Sequence, residues 1–130
     1  MSKRIFFILS MWLYFICEGI TEAFTWMEVH PFNPDIYHIF RIGENLGVLG
    51  VIIMFGVLEH YKIRVSLLGL ISGLSLYEMA YMGLMYNNIL YNKTSLWLGI
   101  PHLKGWMWLC LFIASILTLI GLELWKKNKK

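Results

Sequence analysis

Glu18, Glu44 and Glu78 each interrupt a different long apolar segment, and residue counting puts them at nearly the same depth. An ionised side chain inside a bilayer costs roughly 2.5 kcal/mol or more unless it is paired or protonated, so such residues mark functional sites by default. Other polar groups gather around them. Glu22 stands one helical turn above Glu18, on the same face. Arg41 lies one turn above Glu44, and His38 one turn above Arg41. Ser75, Tyr77 and Tyr81 surround Glu78 at adjacent or i±3 spacing. Counted inward at ~1.5 Å per residue, the three glutamates sit roughly 10–15 Å deep.

Four carboxylates, Glu18, Glu22, Glu44 and Glu78, face the single arginine Arg41, so the group carries excess negative charge. Crowded carboxylates compete for protons or cations. Three chemistries satisfy such a site. A divalent metal such as iron, manganese or zinc takes carboxylates from facing bundle helices, often with histidine. Glu18, Glu44, Glu78 and His38 are the candidate ligands, with His30 and His102 in reach from loops. The Glu-x-x-His spacing of soluble di-iron bundles is absent. Proton or cation movement is the second chemistry, because intramembrane carboxylates mark such pathways. The third is a cationic amphiphile held between glutamates and an aromatic wall. Trp26, Tyr77, Tyr81, Tyr86 and Trp106 would each offer a cation–π contact of ~0.5–2 kcal/mol.

A structural reading competes with all three. Arg41 then pairs with Glu44 or Glu18, and the remaining carboxylates are protonated and bonded to serine or tyrosine. Polar groups hold membrane helices together at about 1 kcal/mol per hydrogen bond or less. One buried pair fits that account; four carboxylates against one arginine fit it less well.

The elements that position these residues follow from hydropathy. The 130 residues are 58% hydrophobic with a mean hydropathy of +0.63, which indicates one compact membrane domain and no second unit. Segments near 5–27, 37–58, 65–87 and 105–125 are long enough to cross a hydrocarbon core as helices, which takes about 20 residues. They lack the period-2 alternation of barrel strands. The first follows Lys3 and Arg4 as a signal peptide would, but no small-residue cleavage site comes after it, so it counts as a span. The predicted fold is all-α, a four-helix transmembrane bundle.

Direction follows from charge. Lys3, Arg4, Lys62, Arg64, Lys126, Lys127, Lys129 and Lys130 fall on one side of a four-span arrangement, and only Lys93 and Lys104 on the other. The positive-inside rule then predicts both termini in the cytoplasm and argues against dual insertion. The net charge of +3 reads as a topology signal, not as a nucleic-acid footprint. Trp26, Trp97, Trp106 and Trp108 mark the outer boundary and Trp125 the inner one. The polar residues thereby collect in the outer half, over an inner half that is apolar from Ile5 to Leu13, Val48 to Leu58 and Val65 to Ile71.

The connections differ in character. An outer loop at 28–36 carries Pro31, Asn33, Pro34 and Asp35, all turn-forming types. The cytoplasmic loop at 59–64, with His60 exposed in it, is short and predicts a tight antiparallel hairpin of helices two and three. The second outer loop, 88–104, holds the apolar run 96–100, expected along the interface, and a glycosylation-type triplet at Asn92. Gly43 with Gly47, and Gly69 with Gly73, have the small-xxx-small spacing that lets helix backbones approach. Cys17 and Cys110 lie in separate apolar segments and read as buried free thiols. Beyond the lysine tail there is no low-complexity tract, and no internal repeat.

No P-loop, GxGxxG, GxSxG or HExxH motif occurs, which leaves nucleotide-dependent and serine-hydrolase chemistry without a basis in the sequence. The leading expectation is a transporter or binding protein in the lipid bilayer, taking a cation or cationic ligand at Glu18, Glu44 and Glu78. Glu22 and His38 would sit at the mouth, Arg41 would fix the carboxylates, and Tyr77 and Tyr81 would line the site. Two alternatives use the same residues. One is a membrane-embedded enzyme, with or without a metal ion, acting on a lipid or other apolar substrate. The other is an accessory subunit whose carboxylates pair with a membrane-complex partner or with a second copy.

Overall fold

The computed structural model describes residues 2–26, 34–58, 61–92, 96–97, 100–101 and 103–129. Among them four α-helices run the length of the molecule: α1 Lys3–Trp26, α2 Pro34–Val57, α3 Lys62–Tyr86 and α4 Gly105–Asn128. Each is long and apolar enough to cross a membrane, as a multi-pass membrane protein requires. The bounds fall within about three residues of those expected from hydropathy. The second helix starts earlier than expected, at Pro34, where a fixed φ and a missing N–H suit the first helical turn.

Helix ends are set locally. Ser2 Oγ accepts the backbone N–H of Arg4 at 3.2 Å and caps α1. Asn87 closes α3 in the left-handed conformation, φ 54°, that asparagine tolerates well. Tyr61 opens α3 at φ 59°, an unusual choice for a bulky residue that costs roughly 1–2 kcal/mol. In the loop between α3 and α4, Leu96–Trp97 pairs antiparallel with Ile100–Pro101. Asn92 Oδ1 accepts the N–H of Gly105 at 2.8 Å and ties that loop to the start of α4.

Packing centres on α1, which lies against both α2 and α3; α4 packs on α3. Glycines explain this choice. Gly43, Gly47 and Gly50 of α2 meet α1 at Cys17, Tyr14 and Ser10, and Gly69 and Gly73 of α3 meet it at Met11 and Phe15. Gly19 of α1 returns the contact: a Cβ there would stand 2.6 Å from the carbonyl oxygen of Tyr77. Both small-residue stripes therefore serve packing within the chain, and both face the same helix. The expected hairpin of α2 and α3 is not formed. A short connection bounds only the distance between their ends, and α1 takes the face that each would have offered the other.

The core sits toward the end that carries both chain termini. Phe7, Ile8, Leu58 and Val65 are all but fully buried there, with Met11, Trp12, Val51, Met54, Leu68 and Leu119 around them. Most other large apolar side chains of α2 and α4 point outward, as lipid-facing residues do. Serine and threonine hydroxyls inside the helices bond back to the carbonyl four residues earlier, as in Thr21 to Cys17, Ser75 to Ile71 and Ser115 to Leu111. Cys17 is buried as expected; Cys110 is exposed, on the outward face of α4.

Candidate functional site

The glycine contacts fix how each helix is rotated, and rotation decides which polar residues meet. On α1, Ser10, Tyr14 and Cys17 form the line facing α2, while Met11, Phe15 and Gly19 form the line facing α3. Glu18 and Glu22 occupy the strip between those lines, away from the terminal end. This strip is the floor of a groove with α2 on one side and α3 on the other. Toward the chain termini the Phe7–Ile8–Leu58–Val65 cluster closes it.

Arg41 and Glu44 enter from α2. Arg41 Nη1 donates to Glu44 Oε2 at 2.7 Å and lies 3.6 Å from Glu18 Oε2. Two carboxylates from different helices therefore share one guanidinium nitrogen. Exposure within this group is uneven. The Glu44 side chain is only 8% exposed, whereas Glu18 is 32% and Arg41 44% exposed. Glu44 Oε1 is buried and has no hydrogen-bond partner. An unmet buried acceptor of this kind costs on the order of 1–3 kcal/mol. The group is thus an excess-negative cluster, open on one side, with one acceptor unsatisfied.

From α3, the Tyr77 phenol donates a short hydrogen bond to Glu22 Oε2. Sequence spacing assigned Tyr77 to its neighbour Glu78, but adjacent residues point roughly 100° apart on a helix and do not face each other. Gly19 is what brings the α3 backbone close enough for Tyr77 to reach across. Tyr81 stacks on Tyr77, 6.3 Å between ring centroids and 14° between planes. These rings and Glu22 form the α3 wall of the groove.

Of the sequence-predicted residues, the structure brings together Glu18, Arg41 and Glu44, and next to them Glu22, Tyr77 and Tyr81. Glu78 stands about 100° around α3 from Tyr77 and is not one of the Arg41 ion-pair partners among the described residues. His38 is exposed near the start of α2, one turn before Arg41. His30, His60 and His102 lie outside the described residues. Among the described residues, no three His, Cys, Asp or Glu side chains converge as a metal ion would need.

Sequence reasoning missed a second polar cluster at the opposite end. Arg4 Nε pairs with Glu123 at 2.9 Å, and Ser2 Oγ donates to the same carboxylate oxygen at 3.2 Å. Glu123 was findable: in four antiparallel spans the last turns of the fourth lie beside the first turn of the first. Trp12 Nε1 to Ser72 Oγ, 2.7 Å, is a further cross-helix bond that spacing does not show. Surface depressions also lie at that end, beside Glu123 with Lys126 and beside Tyr61 with Arg64.

No protein-family model matches the chain, and neither a curated protein nor a solved structure is similar to it.

Proposed function

We propose that this chain is a multi-pass membrane protein, both termini cytoplasmic, that binds the cationic group of a small ligand in an outward-facing intramembrane groove. The observation that carries the reading is the unsatisfied Glu44 Oε1, buried beside Glu18 and Arg41 in a cluster with more negative than positive charge. The carboxylate of Glu44 needs one more donor, and the cluster needs one more positive charge. A primary ammonium group supplies both, with N–H bonds to Glu44 and Glu18. A divalent metal suits the site less well among the described residues, since it asks for three or more converging protein ligands or several waters. Tyr77 and Tyr81 would give the ligand an aromatic wall.

Binding is favoured over transport by the packed apolar cluster of Phe7, Ile8, Leu58 and Val65 toward the terminal end. The bias of lysine and arginine toward that end is the basis for the orientation.

The test compares octylammonium with octyltrimethylammonium, measured by thermal unfolding of the purified protein in maltoside micelles. Octylammonium is expected to raise the unfolding temperature saturably, and octyltrimethylammonium much less, because it has no N–H to donate. Glu44→Gln should abolish the difference while the variant still inserts and folds. Equal shifts by the two amines, or an unchanged difference in Glu44→Gln, would reject the reading.

A further inference from the structure

At the opposite end of the molecule, positive groups gather with few acceptors among the described residues. Arg4 is 4% exposed, yet only its Nε is engaged, by Glu123. Its two terminal nitrogens, Nη1 and Nη2, are buried without a hydrogen-bond partner. A guanidinium is always charged and its fork is built to meet two oxygens, so an empty fork in a buried setting points to a missing anion.

Three further features support this. The guanidinium carbon of Arg4 lies 5.8 Å from the centre of the Tyr61 ring, and that of Arg64 lies 5.7 Å from the same ring. Both guanidinium groups thus lie beside one tyrosine ring. The N-terminus of α3 starts here as well, with Tyr61 giving no side-chain cap and no acidic residue in the first turn. Its free N–H groups and dipole favour an anion. Finally, Lys126 and Lys127 line the depression next to Glu123, the one acidic side chain paired with Arg4.

We infer that the Arg4–Tyr61–Arg64 cluster, rimmed by Lys126 and Lys127, is a binding site for a phosphate group. An oxyanion with several acceptor oxygens can meet both terminal nitrogens of the Arg4 fork, which a monovalent halide cannot. Tyr61 opens α3 in the left-handed conformation, and an anion bound at Arg4 beside it would tie the starts of α1 and α3 together. The site stands independently of the carboxylate groove and shares no residue with it.

The phosphate belongs either to an anionic lipid or to a free phosphate in solution. The full chain, purified in maltoside micelles free of phospholipid, is titrated separately with phosphatidylglycerol, diacylglycerol and inorganic phosphate, and its unfolding temperature is followed. A saturable rise with phosphatidylglycerol and none with diacylglycerol is expected; a rise with inorganic phosphate as well would identify free phosphate as a source. Arg64→Gln and Lys126→Gln/Lys127→Gln change exposed side chains, so both variants fold. Each should weaken half-saturation roughly tenfold, and Arg4→Gln should lose the response if it folds. The inference is overturned if no phosphate source shifts the transition, if diacylglycerol does so equally, or if the Arg64 and lysine variants respond like the parent.

Discussion

Gly19 of α1 lies against the backbone of Tyr77 in α3, so closely that a β-carbon on Gly19 would be 2.6 Å from the Tyr77 carbonyl oxygen. That approach sets the distance across which the Tyr77 phenol reaches Glu22, one helical turn from Glu18. Gly19→Ala must push rigid backbone, not a pliable side chain. It is expected to lower stability by about 1–3 kcal/mol, the usual range for overpacking. Gly121→Ala, where nothing lies within 4 Å, should be neutral or slightly stabilising. Thermal unfolding of the two variants in the same micelle checks the contrast, and equal behaviour would remove the close approach as a determinant of the fold.

Tyr77→Phe isolates the hydrogen bond from the packing. The ring, and its stack on Tyr81, remain; the donor to Glu22 is lost. The expected loss is on the order of 1.5 kcal/mol, as for a hydrogen bond to a charged acceptor. Glu22→Gln should lose a similar amount, and the double variant little more than either single one. A double-mutant cycle in unfolding free energy reads the coupling directly. Additive losses would mean that the two residues act separately.

How far the sequence carries depends on which physical quantity a feature needs. Apolar run length decides whether a helix can span, and so all four helices were legible to within a turn. The pairing of Arg41 with Glu44 or Glu18 was legible too, since i,i+3 spacing and charge complementarity suffice for the first of these contacts. The rest depends on helix rotation and neighbour order, which no single helix records. Gly43 and Gly69 announced close packing, but only the assembled molecule shows that both stripes press on α1. From that follow the separation of α2 from α3 and the reach of Tyr77 to Glu22. The Arg4–Glu123 pair went unread for a simpler reason: a glutamate in the last turns of a span next to a lysine tail looks like part of a solvated end.

The contact of Ser2 and Arg4 with Glu123 requires both chain ends to lie on one side of whatever the helices cross. Cysteines introduced at Ser2 and Asn128, in a Cys17→Ala/Cys110→Ala background, should therefore behave alike toward a membrane-impermeant maleimide. With the cytoplasmic orientation proposed above, both stay unlabelled in intact cells and both react after lysis. Labelling of one site alone in intact cells would contradict the arrangement of α1 beside α4.

Arg41 serves two carboxylates at once, which makes its removal a sharper test of the groove than removal of either acid. Arg41→Gln leaves Glu44 buried, 8% exposed, with its nearest cation gone. A buried group stripped of its partner loses the order of 1–3 kcal/mol, more when it stays charged. Glu44→Gln removes the demanding group itself and leaves Arg41, 44% exposed, free to turn toward Glu18. The expected order of stability is therefore parent, then Glu44→Gln, then Arg41→Gln. The double variant Arg41→Gln/Glu44→Gln should recover part of the loss seen with Arg41→Gln alone, by a coupling of about 0.5–3 kcal/mol. The amine response separates stability from function in the same samples. It should vanish in Glu44→Gln and in the double variant, and persist in Arg41→Gln, where negative charge has increased. An Arg41→Gln protein that folds but ignores octylammonium would show that the guanidinium itself receives the ligand, through an anionic group.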